Sequence, residues 1–188
     1  MATTKKKGVH YIDNKEFHSA MIAWKELCKE AEEAGEEKPQ VTNYIGECFL
    51  KIANGLSYRP NFINYTYRSE MVSDGIENCL QYIHNFDPEK SKNPFAYFTQ
   101  IIYYAFVRRI QKEKKQLYIK YKTMDSQSTL NDNIDTSTYD QEQNYVFETM
   151  TQDQKANMYD FISNFEDAKK KKKVTKKSAT SLELFMGV

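Results

Sequence analysis

The sequence predicts an all-α fold, a helical bundle, and two observations carry that reading. Apolar residues recur at spacings of three and four along most of the chain, the period of a helix with one buried face. Six Gly and four Pro in 188 residues leave few breaks, which favours long helices over a strand-and-turn fold.

Asp13 or Asn14 caps a first helix that runs to Ala34 and stops at Gly35. Its apolar stripe is Phe17, Ala20, Met21, Trp24, Leu27, Cys28 and Ala31, and its end is acidic and solvated. Thr42 or Asn43 opens a second helix, with Ile45, Cys48 or Phe49, Ile52 and Leu56 on one face. The stretch GLSYRPNFINYT (55–66) breaks it with Gly and Pro. A third helix follows from about Tyr67 to Asn85, buried along Val72, Ile76, Cys79 and Ile83, with Phe86 beyond its end. FDPEKSKNP is a turn, because Pro88 and Pro94 both disfavour helix just before them.

The fourth helix, Pro94 to about Tyr121, is the longest expected. Phe98, Ile102, Ala105, Phe106 and Ile110 form its core face. Residues 130–144 read as a polar loop. A short helix is expected over 145–165, with Val146, Met150, Met158, Phe161, Ile162 and Phe165 apolar. Beyond Ala168 the Lys-rich run predicts a disordered basic tail. The organisation expected is a helical domain over 1–122, an acidic loop and short helix over 123–167, a flexible linker over 168–180 and a terminal peptide, SLELFMGV, over 181–188.

The net charge of +1 hides blocks of opposite sign. Residues 1–87 carry net −3, residues 88–122 net +7, residues 123–167 net −9 and residues 168–188 net +6. Such blocks mark surfaces for charged partners or plain solvated helix faces. Cys28, Cys48 and Cys79 lie far apart with no CxxC, as free thiols of a reducing cytosol do. MATTKKKG has no apolar run behind it and is no signal peptide. No stretch approaches membrane-spanning length. His10, His18 and His84 have no partner at metal-ligand spacing, and no nucleotide-binding, nucleophile-elbow or zinc-protease motif occurs. The expectation is therefore a chain that is not an enzyme and carries no metal or cofactor.

On a helical wheel the fourth helix carries a second stripe: Tyr97, Gln100, Ile101, Tyr104, Arg108, Gln111, Lys112 and Lys115. It is aromatic and amide in its first half and cationic in its second. Cations meet phosphates, tyrosine rings stack on unpaired bases and Gln bonds base edges. The alternative is that Tyr97 and Tyr104 pack on a neighbouring helix and the lysines are merely solvated.

EMVSDGIENCLQYIHNFDPEKSKNPFAYFTQIIYYAFVRRI, residues 70–110, resembles region 2 of the bacterial sigma factors over 41 residues without a gap. The shared pattern is an acid and Gly in one apolar helix ending in Phe-Asp, a basic turn, then F-x-Y and an aliphatic-rich helix ending in Arg. The resemblance implies that Ser73, Asp74, Ile76 and Leu80, with Glu77 one turn from Asp74, face a basic coiled coil of the largest RNA polymerase subunit. It implies a minus-ten promoter interface in which Tyr97 stacks on a base, Gln100 and Ile101 stand where the family has paired tryptophans, Tyr104 reads a base and Arg108 meets the backbone. Lys112 and Lys115 extend that interface along phosphates. Without the tryptophans, melting of promoter DNA by this chain alone should be weak.

Nothing after residue 122 resembles the helix-turn-helix of primary sigma factors. A minimal region 2, a charged linker and SLELFMGV together resemble the late-transcription sigma factors of T4-like bacteriophages. In that family a terminal Ser-Leu-acid-aromatic motif binds the replication sliding clamp. The resemblance implies Ser181, Leu182, Glu183, Leu184 and Phe185 as clamp contacts. It also implies host polymerase core, AT-rich promoter DNA, a phage sliding clamp and a late co-activator as partners, in the cytoplasm of an infected bacterium. Two rivals stay open: a helical polymerase-binding adaptor that never touches DNA, and a non-specific nucleic-acid coat protein.

Overall fold

The computed structural model describes residues 11–131 and 149–185, with side chains over 11–126 and 149–171. Among the described residues there are five α-helices and no strand: α1 (Asn14–Ala34), α2 (Asn43–Ser57), α3 (Arg68–Tyr82), α4 (Pro94–Asn131) and α5 (Gln152–Phe185), with a single 3-10 turn, Ile83–Asn85, after α3. The protein is all-α, as its sequence predicts. It divides into two compact units, residues 1–111 and 112–188, and α4 contributes to both.

In the first unit, α1 begins where the sequence says it should. Asp13 Oδ1 accepts the backbone N–H of Lys15 at 2.8 Å, satisfying a donor that the helix itself cannot. Gly35 ends α1 in the left-handed region at φ 72°, and the next amide, of Glu36, donates back to Ala31 O at 2.9 Å. Phe17, Met21 and Trp24 are buried and Ala20 and Cys28 pack half-buried against the core, but Leu27 is exposed. On α2 both Cys48 and Phe49 are buried with Ile45, Ile52, Ala53 and Leu56, a broader face than the spacing alone requires. Phe98 of α4 is the hub. Its ring centroid lies 4.6 Å from Phe49, 5.7 Å from Phe86 and 5.8 Å from Phe17, which ties α1, α2, α4 and the turn after α3 into one aromatic core.

The buried line of α3 is Met71, Gly75 and Cys79, followed by Ile83. Val72 and Ile76, expected in the core, are half-buried at its margin instead. The cause is Gly75. A Cβ there would stand 3.0 Å from Ile102 Cγ2 and 3.1 Å from Phe106 Cε1, tighter than ordinary packing. α4 therefore approaches the bare backbone of α3 at Gly75 and turns that side inward. The linker between α2 and α3 is anchored by Phe62, which is buried with its ring edge-on to Phe106 at 5.2 Å. At the start of α4, Asn93 Oδ1 accepts Ala96 N–H at 3.0 Å and Asn14 Oδ1 accepts Phe95 N–H at 3.2 Å, fixing the helix entry against α1.

In the second unit, α4 continues to Asn131 rather than ending near Tyr121. α5 opens with a capping box: Thr151 Oγ1 accepts Gln154 N–H at 3.3 Å and Gln154 Oε1 accepts Thr151 N–H at 2.9 Å. Met124, Met158 and Ile162 are buried, and the Tyr118 ring stacks on Phe165 at 4.5 Å. Within the expected short helix over 145–165, α5 begins at Gln152, and residues 145–148, Val146 among them, lie outside the described residues. Its end also differs. The backbone stays helical through 168–180, expected as a disordered linker, and on to Phe185. Residues 152–185 contain no Gly or Pro and are rich in Lys, so nothing local stops the helix.

Gly46 of α2 and Gly75 of α3 should answer oppositely to substitution. Gly75→Val overpacks the crossing and should cost about 1–3 kcal/mol. At Gly46 a Cβ meets nothing within 4 Å, so Gly46→Ala should be neutral or stabilise by up to about 1 kcal/mol. Urea denaturation checks both; equal midpoints for Gly75→Val and the parent would contradict the crossing.

Candidate nucleic-acid interface

The helix period sorts the outward face of α4 residue by residue. Positions 100, 104 and 108 follow at four-residue steps, so they form one stripe. Gln100 is exposed, Tyr104 is 52% exposed and Arg108 is exposed. Tyr97 and Ile101, one step round the helix, are half-buried and pack against the core margin. The Tyr97 ring lies 5.1 Å from both Phe86 and Phe98. Its desolvation, aided by Cys79, raises the phenol above its ordinary pKa, so it stays neutral. Tyr97 therefore packs on the core as one of its two sequence readings expects, while remaining only half-buried. Lys112 and Lys115 are exposed and belong to the second unit.

The polar side chains at the crossing with α3 hold the end of this stripe. Arg108 Nη2 donates to Asn78 Oδ1 at 2.6 Å. Asn78 in turn donates through Nδ2 to the carbonyl of Asp74 at 2.6 Å. Arg109 Nε lies 3.1 Å from Asp74 Oδ2, with both side chains partly buried. The guanidinium of Arg108 is thus fixed at one corner and exposed elsewhere, an arrangement that limits the entropy lost on meeting a phosphate.

The expected polymerase face of α3 is only partly assembled. Ser73, Glu77 and Leu80 are exposed, Leu80 at 44%, and fall within about 60° of arc at 100° per residue. Asp74 does not join them. It turns toward α4 and pairs with Arg109, because 74 and 78 lie on the flank of α3 that meets α4. Ile76 is half-buried against the core on the opposite flank. The side chains of Ser181, Leu182, Glu183, Leu184 and Phe185 lie outside the described residues.

One candidate escaped sequence reasoning. Tyr103, assigned to neither face of the wheel, is 41% exposed. Its ring meets Tyr104 edge-on at 5.7 Å and Phe62 at 5.7 Å. The signal was the doubled Tyr-Tyr beside a core position, but the buried Phe62 that supports it comes from a linker with no readable periodicity.

Among the described residues no group of three or more His, Cys, Asp or Glu is placed to hold a metal ion. Among them, too, no helix is long and apolar enough to cross a membrane. No family model matches the chain, and no curated protein matches it.

Tyr97 and Tyr104 should separate in stability. Tyr97→Ala removes a ring packed on two core phenylalanines and should cost about 2–3 kcal/mol, somewhat less than a fully buried aromatic. Tyr104→Ala should stay within about 0.5 kcal/mol of the parent, as exposed sites do. Equal losses in chemical denaturation would put Tyr104 in the core and remove the outward stripe.

Proposed function

We propose that this protein is a minimal sigma-type transcription initiation factor that joins an RNA polymerase core to AT-rich promoter DNA. The observation that supports it most is the outward stripe of Gln100, Tyr104 and Arg108 on α4, flanked by the part-open Tyr97 and Ile101. An amide, an aromatic ring and a cation in line are what separated promoter strands require: edge bonding, stacking and phosphate contact. The basic lysines 112 and 115 add phosphate contacts further along α4.

On this reading Ser73, Glu77 and Leu80 dock on the basic coiled coil of the largest polymerase subunit. Asp74 contributes by holding Arg109 in register rather than by direct contact. Residues 181–188 engage a sliding clamp, with Leu182, Leu184 and Phe185 as apolar anchors beside Ser181 and Glu183. Concentrating the clamp near the promoter, together with a late co-activator, offsets the weak melting expected without a tryptophan pair. The chain acts as a binding factor, not an enzyme, in the cytoplasm of an infected bacterial host. A second reading, a polymerase-binding adaptor without DNA recognition, is favoured by one feature. Asn78 and Asp74 already engage Arg108 and Arg109.

Reconstituted transcription with bacterial core polymerase on an AT-rich minus-ten template tests the proposal. The parent should direct initiation at the promoter, with stimulation by the clamp. Glu77→Lys should weaken core binding at least about tenfold, since like charges across an interface cost several kcal/mol. Removing 181–188 should abolish the clamp response and spare basal initiation on supercoiled template. Core binding without promoter-specific initiation would favour the adaptor, and loss of basal initiation on truncation would make the tail part of the fold.

A further inference from the structure

The first unit contains a cleft of about 410 Å³ that none of these roles uses. It lies where α2 ends and α3 begins, and its polar and aromatic lining includes Asn54, Tyr58, Tyr65, Thr66, Arg68 and Ser69. We infer that this cleft binds one nucleotide unit of a single-stranded nucleic acid, its phosphate on Arg68 and its base against the tyrosines. The inference does not require the sigma-type reading, because it concerns strand binding without polymerase.

Four features point to that ligand. Arg68 is half-buried, and its guanidinium carbon sits 4.4 Å over the centroid of the Tyr58 ring. A guanidinium seated over a ring carries more N–H donors than the ring can engage, and those suit a phosphate. The lining holds this one cation and no carboxylate. The nearest acid by sequence, Glu70, is exposed and accepts the Ser69 hydroxyl at 2.9 Å. Tyr58 is 60% exposed and Tyr65 half-buried, so two rings are at hand for a base, while Asn54 and Thr66 bring polar groups for its edge. A volume of about 410 Å³ suits a nucleotide-sized guest.

Position supports the choice of a strand over a protein side chain. The linker that supplies Tyr58, Tyr65 and Thr66 also supplies Phe62, whose ring packs 5.7 Å from Tyr103, itself in contact with Tyr104. The cleft and the outward stripe of α4 thus draw on one linker, which lines the first and packs under the second, and a flexible strand could pass from one set of rings to the other.

Fluorescence anisotropy of the full chain with a labelled twelve-residue oligothymidylate at low salt tests this, with no polymerase present. The parent should bind the single strand. Arg68→Ala should weaken binding about tenfold and lower the slope of log affinity against log salt by about 0.7, the share of one phosphate on a single strand. Arg68→Lys should recover the slope but only part of the affinity. Tyr58→Ala should weaken binding about fivefold at unchanged slope; because Tyr58 is exposed, this variant carries the test if Arg68→Ala does not fold. The proposal is overturned if the parent does not bind the oligomer, or if Arg68→Ala and Tyr58→Ala bind it as the parent does. It is equally overturned if Arg68→Ala impairs only binding to core polymerase, which would make the cleft a protein contact.

Discussion

The close crossing of α3 and α4 at Gly75 determines what the first unit presents to its surroundings. Gly75 is buried, and Ile102 and Phe106 fill the space a side chain would need. That contact sets the rotation of both helices at once. On α3 it turns Met71 and Cys79 inward and leaves Ser73, Glu77 and Leu80 outward. On α4 it buries Phe98, Ile102 and Phe106 and leaves Gln100, Tyr104 and Arg108 outward. A slip of one residue in either helix would rotate its outward face by about 100° and scatter the stripe.

Polar groups flank the crossing and fix its register where apolar packing is less directional. The Asp74–Arg109 pair and the Asn78–Arg108 bond join α3 to α4 one helical turn apart. Both involve partly exposed groups, so their contribution lies more in geometry than in net stability. Their effect on the charge of α4 is specific. Of two adjacent arginines, Arg109 is committed to α3 through its carboxylate partner, while Arg108 is steadied by a neutral amide and has no carboxylate partner among the described residues. The basic character of this part of α4 is therefore narrower than a count of its charges implies.

Much of this was legible in the sequence because it rests on local rules. Asp13 and Gly35 bracket α1 by capping chemistry alone, and the Phe98, Ile102, Phe106 stripe follows from helical period. What was not legible depends on partners distant in sequence. Val72 and Ile76 look like core residues until a glycine crossing rotates α3. Asp74 looks like a partner for Glu77 until Arg109, 35 positions away, claims it. Arg68 and Tyr58 meet across a linker whose Pro60 signals only a break. The helical backbone of 168–180 was missed for a different reason, since a run of lysines repels itself yet also has good helix propensity.

On the proposed function, the two outward faces of one crossing serve different partners, polymerase on α3 and separated DNA on α4. Site-specific photocrosslinking tests it most directly. A photoreactive phenylalanine analogue is placed at position 77 or at position 104 of the full chain, which is then assembled with core polymerase and an AT-rich promoter. The account expects position 77 to crosslink to the largest polymerase subunit and position 104 to the promoter strand that is displaced. Crosslinks from position 104 to polymerase alone, or from position 77 to DNA, would contradict it.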